Sequence, residues 1–202
     1  MSTSPTVSRP ALASLESVAQ YRVLLSPVRF EVFEAMRFLA PCPIAEVARC
    51  LGRPADGLYQ HFRKLQRAGI LREVGREKVG RRTQAIYDLI ADDIDFSGLR
   101  GAAARRVIGL AGRMFLSVGR RTLRDALMMD AIQFEPGKRN LTILNNLTWL
   151  TPEDYQAIRK HFVQIVELME ASRHRRQGEL YMVMNLACPV VRRPRRSSSA
   201  GQ

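Results

Sequence analysis

Apolar residues recur along this chain in two rhythms, and the rhythms divide it into elements. Val28, Val32, Ala35, Met36 and Leu39 keep helical spacing, so an amphipathic helix is predicted over 27–39. Ser26 fits its N-cap and Pro27 its first turn, and Pro41-Cys42-Pro43 ends it because proline cannot continue the hydrogen-bond ladder. Upstream, Ser14 is read as the cap of a helix from 15 to 25, with residues 1–13 as a disordered N-terminus. Ile44, Val47, Ala48 and Leu51 form a short stripe closed by Gly52. Arg53-Pro54 opens another helix at once, in which Leu58, Phe62 and Leu65 point inward. Two helices joined by so short a turn must cross steeply. Gly69 is the exit of the second.

The rhythm then changes to alternation. Leu71 to Gly75 and Thr83 to Leu89 read as two strands, with Arg76 to Arg82 as a basic hairpin tip. Asp92-Asp93-Ile94-Asp95 is read as an acidic hinge. Helical spacing returns from Gly101 to Ala131, where Val107, Ala111, Met114 and Val118 make one stripe and Arg106, Arg113 and Arg120 another. Leu141, Ile143, Leu147 and Trp149 predict one or two strands. Thr151-Pro152-Glu153-Asp154 opens a helix to about His174, complemented at its end by Arg173, His174, Arg175 and Arg176. Glu179 to Ala187 reads as a strand, and 191–202 as a basic disordered tail. The fold class is therefore mainly α with small β (α+β). A winged helix-turn-helix domain over 14–91 precedes a dimerisation and effector region over 92–190, made of a long helix and a strand–helix–strand module.

Charge sharpens this picture. The 202 residues carry a formal net charge of +13, which favours polyanions. Between Gly52 and Arg82 there are nine Lys/Arg against three acids, so the excess sits on the steep helix pair and the hairpin. On the second helix, Asp56, Gln60, Arg63 and Arg67 face away from the apolar side, with Tyr59 and Lys64 on the flanks. Arg and Gln offer paired donors to guanine and adenine edges, and Tyr59 and Lys64 suit phosphate or methyl contacts. Arg76, Lys78, Arg81 and Arg82 of the hairpin suit phosphates or a minor groove. A solvated charged face is the plain alternative for each residue alone; the helix pair before and the hairpin after favour a DNA reader.

Other chemistry is thinly represented. The three cysteines, Cys42, Cys50 and Cys188, form no CxxC or CxC pair, which speaks against a disulfide framework or a zinc site and fits a reducing cytoplasm. No GxSxG, HExxH, P-loop or dinucleotide fingerprint occurs, and no enzymatic activity, cofactor or metal is expected. No apolar stretch has the length of a signal peptide or a membrane span, so a cytoplasmic protein is expected. The second half holds six of the eight methionines, and Met114, Trp149, Tyr155, Met169, Tyr181 and Met182 are candidates for an effector pocket, with ordinary core or dimer interface as the alternative.

Residues 24–89 resemble the ArsR-type winged helix domains of bacterial transcription regulators. Ser26-Pro27-Val28-Arg29-Phe30 resembles that family's helix opening, and Ile44-Ala45-Glu46-Val47-Ala48 with Leu51-Gly52 its next helix. Leu58-Tyr59-Gln60-His61-Phe62 through Leu65, then Ala68-Gly69-Ile70-Leu71, resembles its recognition helix and exit. The resemblance implies a homodimer on a roughly palindromic operator of double-stranded DNA, with binding modulated by a small-molecule effector, and a repressor more than an activator. Metal-sensing members carry Cys-x-Cys at the recognition helix, whereas 53–67 holds no cysteine. His61 stands at the family's usual histidine position and reads as structural or phosphate-near. A thiol switch through Cys42 or Cys50 competes with plain burial of both. A winged helix used for protein–protein contact, or an RNA-binding module, is the alternative function, with no membrane partner in either case.

Overall fold

The computed structural model describes residues 9–173, 175 and 177–190. The basic tail at 191–202, and His174 and Arg176 at the end of the last helix, lie outside the described residues.

Strand β1 (Leu12–Ser14) comes first and pairs in parallel with β5 (Asp93–Asp95). Within the start expected to be disordered, residues 1–8 lie outside the described residues and Leu12 and Ala13 are in strand, while the expected acidic hinge is itself a strand at Asp93–Asp95. Arg9 donates to Asp88 at 2.7 Å and also pairs with Asp92, while the Asp92 and Asp93 amides donate to the Pro10 and Ala11 carbonyls at 3.0 Å. The acidic run therefore anchors the N-terminal arm. Ser14 is spent on the strand, donating to Asp95 at 3.3 Å. Helix α1 (Val18–Leu24) starts instead from Ser17, whose Oγ accepts from the Gln20 amide while the Gln20 side chain accepts from the Ser17 amide. That reciprocal pair is a capping box, which satisfies two otherwise orphaned amides.

Helix α2 (Pro27–Leu39) has proline in its first turn and buries Val32, Phe33, Ala35 and Met36. Arg29 donates to the Val23 carbonyl, tying the α2 entry to the end of α1. Cys42–Pro43 is a short strand, β2, where only a helix stop was expected. Helices α3 (Ile44–Cys50) and α4 (Ala55–Arg67) follow, then β3 (Leu71–Val79) and β4 (Arg82–Leu89). The sheet order is β2-β4-β3, all antiparallel.

Helix α5 (Gly101–Met128) lays Val107, Met114 and Val118 into the same core as Leu24, Phe33, Leu58, Phe62, Leu65 and Ile70. Its residues at i, i+7 and i+11 recur on one side, as the stripe predicted. Full burial of each such side chain contributes about 1.5–3 kcal/mol relative to exposure. The helix is thus cemented to the winged helix domain, while Ile108, Leu116, Leu127 and Met128 remain exposed on it.

The chain after α5 departs most from expectation. Residues 129–151 and 177–190 form no strand among the described residues, so the strand–helix–strand module is replaced by two irregular segments around α6 (Pro152–Arg173). Alternation holds a strand only where one face is buried and an edge is paired. Here Leu147 and Trp149 are 85% and 81% exposed, and Leu180 is 75% exposed. Asn140 closes the reversal after α5 by accepting from the Gln133 amide at 2.8 Å and donating to the Ala131 carbonyl at 3.0 Å. Thr151 caps α6 as expected: its Oγ1 accepts from the Asp154 amide at 3.1 Å, and Asp154 accepts from the Thr151 amide at 3.0 Å. No residue of α6 is buried. A salt bridge from Glu170 to Arg37 at 3.0 Å ties it to α2.

Candidate nucleic-acid interface

The interface is built on the turn between α3 and α4. Gly52 has φ +61°, a left-handed conformation that glycine adopts without a Cβ clash. The Gly52 and Arg53 amides donate back to the Arg49 and Ala48 carbonyls at 3.3 and 2.9 Å, which ends α3 and aims the chain into α4. Helix α4 buries Leu58, Phe62 and Leu65. Tyr59, Gln60, Arg63, Lys64 and Arg67 are all exposed, as are Asp56 and Gln66. One helix thus carries a core side and a basic, hydrogen-bonding side.

The hairpin differs from expectation in an instructive way. The predicted seven-residue tip is mostly strand; the turn is Gly80-Arg81, with Gly80 at φ +61° and Val79 paired to Arg82. At the base, Leu71 pairs Leu89 and Glu73 pairs Tyr87. Toward the turn, Arg76 pairs Ala85 and Lys78 pairs Thr83. A bulge at Val74 separates the two registers. A bulge adds one residue to one strand and reverses the parity of everything beyond it. Arg76 and Lys78 therefore share a sheet face with Tyr87, and Arg82 lies on the opposite face with Glu77. Arg76 also donates to Glu73 at 2.7 Å, so it is held along the strand and not free at a tip.

Tyr87 joins wing to helix. Its ring meets Phe62 edge-on, with centroids 5.1 Å apart. Burial raises its pKa, Glu73 and Tyr59 add to the rise, and Arg63 and Arg76 oppose it. Tyr59 and Arg63 of the helix and Arg76 of the wing thus all act electrostatically on one phenol. Sequence reasoning placed Tyr87 only as a strand residue; the hint in the sequence is its alternation with Ala85 and Leu89, without the bulge that turns Arg76 to its side.

His61 lies among cations. Burial lowers its pKa, and Arg29, Lys64 and Arg53 lower it further. Its Nδ1 is buried with no hydrogen-bond partner. The cysteines are separate in environment: Cys42 is buried and donates weakly to Met36 Sδ at 3.6 Å, Cys50 is half-buried with its pKa raised by burial and Glu46, and Cys188 is exposed. A raised pKa lowers the thiolate fraction, which disfavours Cys50 as a reactive thiol. Among the described residues, no group of three or more His, Cys, Asp or Glu could hold a metal ion.

The six candidate effector residues are not gathered. Met114 is buried in the shared core, Met169 is half-buried, and Trp149, Tyr155, Tyr181 and Met182 are exposed. A shallow groove of about 430 Å³ lies between α6 and residues 185–187, lined by Tyr155, Phe162, Val166 and Leu186 among others. Of the six, it includes Tyr155 alone.

Two packed helices joined by a short turn, an outward basic helix face and a two-stranded wing define a winged helix-turn-helix architecture. Residues 24–74 match the family model of a helix-turn-helix domain, of the ArsR-like kind. The match ends within β3, so it takes in the helix pair and the first wing strand. No curated protein matches the chain.

Proposed function

We propose that the protein is a sequence-specific, double-stranded-DNA-binding transcription regulator that acts as a homodimeric repressor in the cytoplasm, with operator occupancy set by a small-molecule effector. The observation that carries this reading is the surface of α4. Tyr59, Gln60, Arg63, Lys64 and Arg67 project from a helix whose other side is core, beside a wing that turns Arg76 and Lys78 to the same side as Tyr87. Such a helix fits a major groove, where guanidinium and amide groups read base edges, while the wing holds phosphates. Arg81 at the turn and Arg82 beyond it extend the basic wing toward the backbone or minor groove.

The second copy is supported by exposed apolar surface. Ile108, Phe115, Leu116 and Leu127 on α5, and Val163, Val166 and Leu168 on α6, all face solvent in the single chain. Apolar side chains left exposed on both helices are surface that association with a second copy would cover. Two copies related by a two-fold axis would read two half-sites of a roughly palindromic operator. In this reading residues 14–91 carry DNA recognition and 92–190 carry dimerisation and effector binding. No described helix is long and apolar enough to cross a membrane.

A salt-titrated binding assay on the gene's own upstream region tests the reading. Specific retention near physiological salt is expected. Equal affinity for upstream and unrelated duplexes at every salt concentration would reduce the protein to a nonspecific cation.

A further inference from the structure

Helix α5 and the entry to α4 meet on a single carboxylate. Glu31 lies on α2 with its side chain only 15% exposed. Its Oε2 accepts from Arg53 Nη2 at 2.9 Å, and its Oε1 accepts from Arg121 Nη2. Arg53 belongs to the turn that precedes Ala55, the first residue of α4, and Arg121 belongs to α5. The two guanidinium side chains are 31% and 28% exposed, so the bridge is partly shielded from solvent. Among the described residues, Glu31 is the one carboxylate that either arginine engages.

Two neighbouring contacts give the bridge direction. One residue before Glu31, Phe30 meets Phe115 of α5 edge-on, with centroids 5.3 Å apart and planes at 90°. Two residues before Arg121, Gly119 is covered by Met184 of the C-terminal segment, whose Cε lies against the place where a Cβ would stand. The stretch of α5 from 115 to 121 is thus held by α2 and touched by the chain that follows α6. Arg53 also has cationic company: Arg53, Arg29 and Lys64 all act on His61. Removing the carboxylate would leave Arg53 and Arg121 unpaired in a basic neighbourhood, and like charges separate.

We propose that Glu31 is a positioning residue for DNA recognition: through Arg121 and Arg53 it fixes the start of the recognition helix relative to α5, so that a displacement of α5 by the C-terminal region re-aims α4. This rests on the DNA-binding reading above and adds its regulation. The physical basis is a two-oxygen carboxylate shared between two elements, which couples their positions as one unit. In a two-fold dimer the relation of α4 to α5 sets the separation of the two recognition helices, and so the half-site spacing the protein accepts. Base preference within a half-site comes from the outward face of α4 and is independent of the bridge.

The test uses the full chain with Glu31→Gln, Glu31→Asp, Arg121→Gln and the Glu31→Gln/Arg121→Gln double variant. Amide hydrogen exchange over residues 52–58 is measured without DNA. Binding is then measured on a series of duplexes carrying two half-sites from the upstream region at varied spacing. Exchange over 52–58 should rise about fivefold in Glu31→Gln and in Arg121→Gln, the lower end of typical inter-site coupling. Adding Arg121→Gln to Glu31→Gln should change little further, and Glu31→Asp should restore most of the protection. Spacing preference should flatten while preference for bases within the half-site persists. Wild-type exchange in both single variants would overturn the bridge, whatever the DNA result. Faster exchange with an unchanged spacing preference would overturn its role in positioning. Should Glu31→Gln not fold, Arg121→Gln alone decides, because it leaves Glu31 with Arg53. A wild-type protein that binds no duplex would instead overturn the DNA-binding reading, with the exchange measurement still deciding the bridge.

Discussion

Arg63→Ala isolates recognition from folding. Arg63 is exposed on α4 and makes no side-chain hydrogen bond or ion pair among the described residues. Surface substitutions of that kind usually change stability by about 0.5 kcal/mol or less. Alanine also suits a helix interior at least as well as arginine. The folded state should therefore survive the change, with the urea midpoint nearly unmoved. The loss should appear in DNA binding. An arginine that pairs with a guanine edge contributes about 1–3 kcal/mol of discrimination, a factor of roughly 5 to 150 in relative affinity. Fluorescence anisotropy on the upstream duplex, and on duplexes with single base pairs changed, measures this directly. Affinity for the preferred sequence should fall toward that for its variants, and the preference at one base pair should vanish. Arg81→Ala is the matched control. Arg81 sits in the Gly80-Arg81 turn of the wing, where a phosphate contact is expected. Its loss should weaken all sequences alike and reduce the slope of log affinity against log salt by about 1. If Arg63→Ala kept every base preference and lost only a salt-dependent increment, α4 would be contacting backbone and the docking of its outward face would be wrong.

Other expectations follow from the same geometry. Phe62→Ala removes a fully buried ring and its edge contact with Tyr87; chemical denaturation should show a loss of about 3–5 kcal/mol, and DNA binding should fail with the fold. His61 has its folded-state pKa below the ordinary 6.5, so the unfolded chain binds more protons in the interval between the two values. Stability should be full above about pH 6.5 and decline as pH falls through that interval. Urea midpoints across pH 5–7.5 should show this slope, and His61→Gln should remove it. Gly119→Ala forces the Met184 Sδ and Cε, both too close to the new Cβ, to move. Since this is the end of a flexible side chain and alanine favours a helix by up to about 1 kcal/mol over glycine, thermal unfolding should shift slightly upward, with a displaced Met184 methyl resonance. An unchanged methyl resonance would show that Met184 does not sit on α5.

The helix-turn-helix was legible before any coordinates. Pro27, Gly52 and Gly69 punctuate the chain by local backbone chemistry, and Val28, Val32 and Met36, like Leu58, Phe62 and Leu65, repeat at spacings that a helix turns to one side. The outward residues Tyr59, Gln60, Arg63, Lys64 and Arg67 follow from the same geometry, because the inward side of α4 leaves them no other place. These are properties of a few neighbouring residues, so sequence alone determines them. The wing was legible as a hairpin but not in its facing. Its faces depend on reconciling the Leu71–Leu89 pairing with a two-residue turn, and that extra residue at Val74 exists only in the paired sheet. Ser17 took the cap from Ser14 because β1 had a distant partner in β5. The strands expected at 141–149 and 179–187 failed for the converse reason: alternation was present, but among the described residues no edge received it. Tertiary structure alone brought Tyr87 between helix and wing, and Glu31 between Arg53 and Arg121, because residues 22 and 90 positions apart meet only when α2, α4 and α5 pack on one core.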